Sequence, residues 1–266
     1  MDSAADEESS VFEHRPATLD DLPVSIFIKT CSKDYAWLRY CLLSVRKFCS
    51  GFQSVVIVCD DVDRNISGWI GDMMAGCACS VQYAETRSSC TGYLQQQAVK
   101  LRALEYCPTE TQAVLFLDSD TIFTRPVTPH CFLAAGAPIL AKASYEYLSQ
   151  TETGKPAVAW KAITEAAVGR PVSFEYMRQM PIVIHRQTLL ECQSQYPHWY
   201  EAIMSGRVTE FSEFNAMGSV AEHTHPWLYK IRDVGTECSG DVYSIQYWSW
   251  GGITPEIRRS IEEVLR

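Results

Sequence analysis

Residues 24–30 (Val-Ser-Ile-Phe-Ile-Lys-Thr) and 55–59 (Val-Val-Ile-Val-Cys) are two short runs rich in branched and aromatic apolar residues. Runs of this length and character fit strands buried on both faces. Between them, residues 35–49 place Trp37, Leu38, Cys41, Leu42, Val45 and Phe48 at helical spacing, which predicts a helix packed on the first strand. Strand, helix, strand in that order implies parallel strands joined by a right-handed crossover. The expected fold class is therefore α/β.

The alternation continues. The pattern predicts helices over 67–74 and 92–106, with a short strand at 80–83 between them and a further strand from residue 113. It then loosens: strands are expected at 138–142 and 180–185, separated by a polar excursion over 144–177. Helices follow over 188–203 and 210–222, a strand over 227–232, and an amphipathic helix over 255–266. With 266 residues the chain can bury a sizeable core in one large domain. The first 22 residues are polar and acidic and read as a flexible tail. The remainder divides into an α/β half over 23–143 and a second half of the same domain over 144–266.

Composition narrows the partners. A formal charge of -9 argues against broad adhesion to nucleic acid or anionic membrane, although a local basic strip is compatible with it. Eleven Cys, an odd number with several in apolar runs, and no signal-peptide pattern favour free thiols in a reducing cytoplasm. Cys77 and Cys79 form a C-x-C with no second pair at zinc-finger spacing. No run approaches the ~20 apolar residues that span a bilayer.

The chemistry concentrates at Ala113, Val114, Leu115, Phe116 and Leu117, which lead straight into Asp118, Ser119 and Asp120. The two carboxylates emerge at a strand's carboxyl end, where open α/β sheets bind ligands. Hard oxygen donors in that place suit Mg²⁺ or Mn²⁺ carrying a phosphate ligand. The simpler reading of Asp-Ser-Asp is a hydrogen-bonded turn.

The ordered set of a βαβ start, a helix with Gln96 and Lys100, the strand ending in Asp118-Ser119-Asp120, and a late Ser212-Glu213-Phe214-Asn215 resembles nucleotide-sugar glycosyltransferases of the GT-A fold. It is most similar to bacterial and phage members in which Gln-Gln before Lys-Leu precedes the aspartate motif and Ser-Glu-Phe/Tyr follows it. The resemblance runs from about residue 24 to residue 222 and implies a mixed, mostly parallel sheet flanked by helices in a single domain. It implies Mn²⁺ or Mg²⁺ held by Asp118 and Asp120, with Asp120 the direct ligand and Asp118 nearer the sugar and ribose. A third ligand is expected from His223, His225 or Asp241. Thr30 and Asp60 are expected beside the uracil and ribose of a UDP-sugar, their alternative being loop capping. Ser119 is expected at the donor.

Lys100 can neutralise diphosphate charge, or can be a snorkelling surface lysine. Gln96, four residues earlier, shares its helical face. Glu213 suits the general base of an inverting transfer, and equally suits a helix's first turn. His185 closes the strand ending at that residue and can contact acceptor or metal, or serve only as a structural hydrogen-bonder. Tyr243, Tyr247, Trp248 and Trp250, followed by Gly251 and Gly252, read either as a lid stacking on sugar or base, or as core.

The function expected is metal-dependent hexosyl transfer from a nucleotide sugar such as UDP-glucose, in the cytoplasm of a bacterium or phage-infected cell. The acceptor is a glycan or a hydroxymethylated pyrimidine in DNA, the latter needing a positive groove from Lys155, Lys161, Arg170, Arg178, Arg186 and Arg207. Nucleotidyl transfer is the alternative chemistry, but residues 30–34 lack the Gly-rich phosphate loop it calls for. A degenerate, inactive GT-A-like binding module is the non-enzymatic alternative. A dinucleotide enzyme is disfavoured, since no G-x-G-x-x-G follows either early strand.

Overall fold

The structure is a computed structural model and describes residues 22–235 and 242–266. Nearly all of the expected tail therefore lies outside the described residues. In chain order the elements are β1 (Val24–Lys29), α1 (Tyr35–Phe48), β2 (Ser54–Asp60), α2 (Ser67–Met73), β3 (Cys79–Ala84), α3 (Gly92–Leu101), β4 (Ala113–Phe116) and β5 (Thr121–Phe123). There follow β6 (Leu133–Ala134), β7 (Ala137–Ser144), α4 (Tyr145–Ser149), α5 (Trp160–Val168), β8 (Phe174–Glu175), β9 (Ile182–His185) and α6 (Arg186–Gln195). The last are α7 (His198–Met204), α8 (Glu213–Thr224), β10 (Lys230–Asp233), β11 (Ser244–Gln246) and α9 (Pro255–Leu265).

The central sheet has the order β3-β2-β1-β4-β9. Its first four strands are parallel, and β9 joins antiparallel to β4 with Ile182 opposite Phe116 and His185 opposite Ala113. The fold is thus a mixed, mostly parallel α/β sheet flanked by helices, as expected. The two sequence halves share this sheet, because β9 belongs to the second and pairs with the first.

Strand alternation divides the core into two layers. Phe27, Val56, Val58, Val114 and Phe116 face one layer with α3, α6, α7 and α8. Ile26, Ile28, Ile57, Leu115 and Leu117 face the other with α1, α2 and Ile261 of α9. Coverage on both faces explains why these strands read as continuous apolar runs.

Several departures have local causes. The helix expected over 188–203 is two helices, α6 and α7, divided at Pro197, whose ring disfavours helical geometry at Tyr196. The expected helix over 92–106 ends at Leu101 and continues only as a short 3-10 turn, Ala103–Glu105. The polar excursion over 144–177 contains α4, α5 and β8. Beyond Asp120 the chain forms β5, which pairs antiparallel with β11 from the C-terminal part.

Candidate active site

The carboxyl ends of β1, β2 and β4 lie on one sheet edge, and α3 and α8 bring polar side chains to it from one layer. The resulting cavity, about 910 Å³, is lined by Gln96, Lys100, Asp118, Ser119, Asp120 and Glu213 among others. Six residues singled out in three separate stretches of sequence therefore meet. The volume falls in the range of small-molecule sites.

Lys100 is the hub. It is 3% exposed, and its Nζ donates to Asp118 Oδ1 at 2.8 Å and to Glu213 Oε1 at 3.0 Å, while lying 4.6 Å from the centre of the Phe214 ring. Two carboxylates and an aromatic face offset the desolvation of a buried ammonium. Lys100 is neither a surface snorkeller nor a free cation for phosphate. Glu213 opens α8, its backbone N–H donating to Gln97 Oε1 at 3.2 Å. Lys100 occupies its Oε1, and no hydrogen bond to the described residues holds Oε2.

Each aspartate is also reached from the C-terminal segment. Gln246 Nε2 donates to Asp118 Oδ2 at 3.2 Å. The Ser249 N–H donates to Asp120 Oδ2 at 2.8 Å, and the Tyr247 N–H to the Asp120 carbonyl at 2.8 Å. Asp120 Oδ1 is buried without a hydrogen-bond partner. Burial, and then the neighbouring Asp118 charge, push the Asp120 carboxyl up to about 6. An orphaned carboxylate oxygen beside a second carboxylate is a hard-oxygen donor set that fits Mg²⁺ or Mn²⁺, ions that complete their shells with water and phosphate.

No set of three or more His, Cys, Asp or Glu side chains is gathered as a metal site among the described residues. His223 and His225, expected as further ligands, stand at the far end of α8 from Glu213. His223 is in the last turn of α8 and His225 caps it, whereas Glu213, joined to Asp118 through Lys100, opens the same helix. At ~1.5 Å rise per residue, about 15 Å separates the two ends. Asp241 lies outside the described residues. His185 is placed at the opposite sheet edge, opposite Ala113 at the start of β4, where its Nδ1 accepts from the Gln187 N–H at 3.1 Å. There it caps α6.

Thr30 and Asp60 stand at the carboxyl edge but outside the cavity lining. Asp60 is held by Lys29 at 2.5 Å and by Gln95 at 3.2 Å, and Thr30 Oγ1 is buried without a partner. Asp34, just after β1, faces the cavity instead. The C-terminal aromatics split between the two readings. Tyr247 stacks on Trp37 with centroids 5.6 Å apart and Tyr243 packs 5.9 Å from Phe132, both as core. Trp248 and Trp250 are 65% and 86% exposed and line the cavity. Tyr93, in the first turn of α3, also lines it, as do Gln246, Ser249 and Trp160, which carry no local sequence signal because only the tertiary fold returns them to β4 and α3.

No family model matches the chain, and no characterised protein matches it by sequence. Among solved structures, the galactosyltransferase LgtC in complex with donor and acceptor sugar analogues superposes with a TM-score of 0.53 at 13% identity, over 91% of this chain and 95% of LgtC. Apo xyloside xylosyltransferase 1 from mouse gives a TM-score of 0.43 at 12% identity, over 85% and 98%. The 4-diphosphocytidyl-2C-methyl-D-erythritol synthase of Anaerococcus prevotii gives 0.47 at 13%, over 93% and 98%. The LgtC superposition shows that this chain has the GT-A fold.

Proposed function

We propose that the chain is a metal-dependent glycosyltransferase that moves a hexose from a UDP-sugar to a hydroxyl of a glycan. The observation that carries this reading is the convergence of Asp118, Asp120, Lys100 and Glu213 in one cavity at the carboxyl edge of a GT-A sheet. Asp120, through its orphaned Oδ1, and Asp118 would hold Mn²⁺ or Mg²⁺. When bound, the ion supplies positive charge to the departing diphosphate.

The protein's own groups divide the remaining work. Asp34, which lines the cavity just after β1, is assigned to the nucleoside side of the edge, where Thr30 and Asp60 stand outside the lining. Gln96 and Ser119 offer hydrogen bonds to the donor. Lys100 fixes Asp118 and Glu213 relative to each other, so that the donor-side and acceptor-side carboxylates keep one geometry. In an inverting transfer Glu213 Oε2 takes the acceptor hydroxyl's proton as the new C–O bond forms and the bond from the anomeric carbon to diphosphate breaks. Trp248 and Trp250 at the mouth present aromatic faces of the kind that stack on sugar rings.

A glycan is favoured over duplex DNA by the charges. Of the six basic side chains expected to build a DNA groove, Lys155 and Arg178 are paired with carboxylates, Glu152 and Glu175, while Arg170, Arg186 and Arg207 donate to neutral oxygens and keep their charge. The cavity itself holds Asp34, Asp118, Asp120, Glu175 and Glu213 against Lys100 and Arg178. Among the described residues no helix is long and apolar enough to cross a membrane.

The test is thermal stabilisation by a panel of nucleoside diphosphates and their sugars, with and without Mn²⁺, beside Asp120→Ala. A shift with one nucleotide that needs Mn²⁺ and is lost in the variant is expected. Absence of any shift would remove the donor site and leave the binding-module reading. The anomeric configuration of the product, read by NMR, tests the inverting assignment of Glu213.

A further inference from the structure

A departing nucleoside diphosphate carries more negative charge than one divalent ion offsets, so a protein cation would help to hold it, and Lys100, already engaged by two carboxylates, has little to offer a phosphate. Arg178 is the other cation lining the cavity. Its Nε donates to Glu175, a carboxylate only 1% exposed, while its own side chain is 25% exposed. Buried in the wall, Glu175 serves as a brace: it fixes the guanidinium at Nε, while neither Nη group is held by a hydrogen bond to the described residues.

Arg178 shares the cavity lining with the aspartates, and strand register brings its segment to their edge. Ile182 of β9 lies opposite Phe116 of β4, so the segment entering β9 passes the edge from which Asp118 and Asp120 emerge. The Met180 carbonyl accepts from Ser244 Oγ at 3.3 Å, which ties that segment to β11, the partner of β5 just beyond Asp120. A planar guanidinium with both Nη groups available matches phosphate oxygens two at a time.

We infer that Arg178, braced by Glu175, is a phosphate-binding residue of the donor site and fills the cationic role that Lys100 does not. The inference rests on the nucleotide-sugar reading above and assigns a residue to it. Neither the helix pattern nor the aspartate motif identifies this position.

The experiment is calorimetric titration of the full chain, in the presence of Mn²⁺, with UDP, GDP, CDP and ADP, with inorganic pyrophosphate, and with the matching uncharged nucleoside. Wild type is compared with Arg178→Gln, Arg178→Lys and the double variant Glu175→Gln with Arg178→Gln. Loss of one charge-assisted, two-pronged contact should weaken diphosphate and pyrophosphate binding about 10- to 100-fold and leave nucleoside binding unchanged, with Arg178→Lys in between. Undiminished diphosphate affinity in Arg178→Gln overturns the assignment and points to an anionic group on the acceptor as the ligand of Arg178. If the single variant does not fold because Glu175 is left buried and unpaired, the double variant, which neutralises both partners, is read by the same criterion. Wild type that binds no diphosphate overturns the transferase reading and this inference together. Wild type that binds one as tightly as the Arg178 variants overturns this inference alone.

Discussion

Lys100 shows what a single residue decides here. Position 100 is legible in the sequence as a polar member of the α3 stripe, but its commitment to two carboxylates 18 and 113 residues away is not. Lys100→Met leaves Asp118 and Glu213 facing each other without their shared counter-ion. Removing one member of a buried ionic cluster typically costs about 3–5 kcal/mol, so a matching fall in unfolding free energy is expected by urea titration. His185 makes a separate prediction at the far sheet edge. Burial, and then His225, lower its pKa below the ordinary value. Because the folded value is the lower one, the unfolded chain takes up the proton first as pH falls through about 6.5, and stability drops there. Protonation also removes the Nδ1 acceptor that caps α6. His185→Asn keeps a capping oxygen without the titration, so its melting temperature should fall less between pH 7 and pH 5 than that of wild type.

At the scale of elements, α8 is the part that the site depends on most. It delivers Glu213 at its first turn and is held against the 174–180 segment by close packing. A Cβ at Gly218 would come within 2.4 Å of Tyr176 Cγ and 2.5 Å of Tyr176 Cβ, whose hydroxyl donates to Glu222 at 2.6 Å. Gly218→Ala raises helix propensity by about 1 kcal/mol, yet overpacking against an anchored ring costs ~1–3 kcal/mol. A net loss in denaturation midpoint is expected, and a gain would show that α8 and Tyr176 can separate freely. The apolar strands and the amphipathic helices α1, α3, α8 and α9 are all visible as sequence periodicity. The short elements β5, β6, β8 and β11, of two or three residues each, are not, since segments so brief owe their conformation to the strand beside them.

For the whole molecule, the charge of -9 and the surplus of carboxylates over cations lining the cavity predict no salt-sensitive binding to duplex DNA. Gel-shift titration at low and physiological salt checks this; tight binding that weakens steeply with salt would return the modified-pyrimidine acceptor to consideration. The sequence by itself determined the α/β class, the parallel β1, β2 and β4 core and the edge at which Asp118 and Asp120 emerge. Those features follow from local apolar period and from the handedness of the βαβ crossover, which act over a few tens of residues. Only the tertiary structure decided that Lys100 joins Asp118 to Glu213, that Gln246 and Ser249 return to the aspartates, and that His185, His223 and His225 stand away from them. These depend on strand register and on which end of a helix meets the sheet. Neither leaves a mark in the local pattern, because a residue's neighbours across the cavity are set by how whole elements pack.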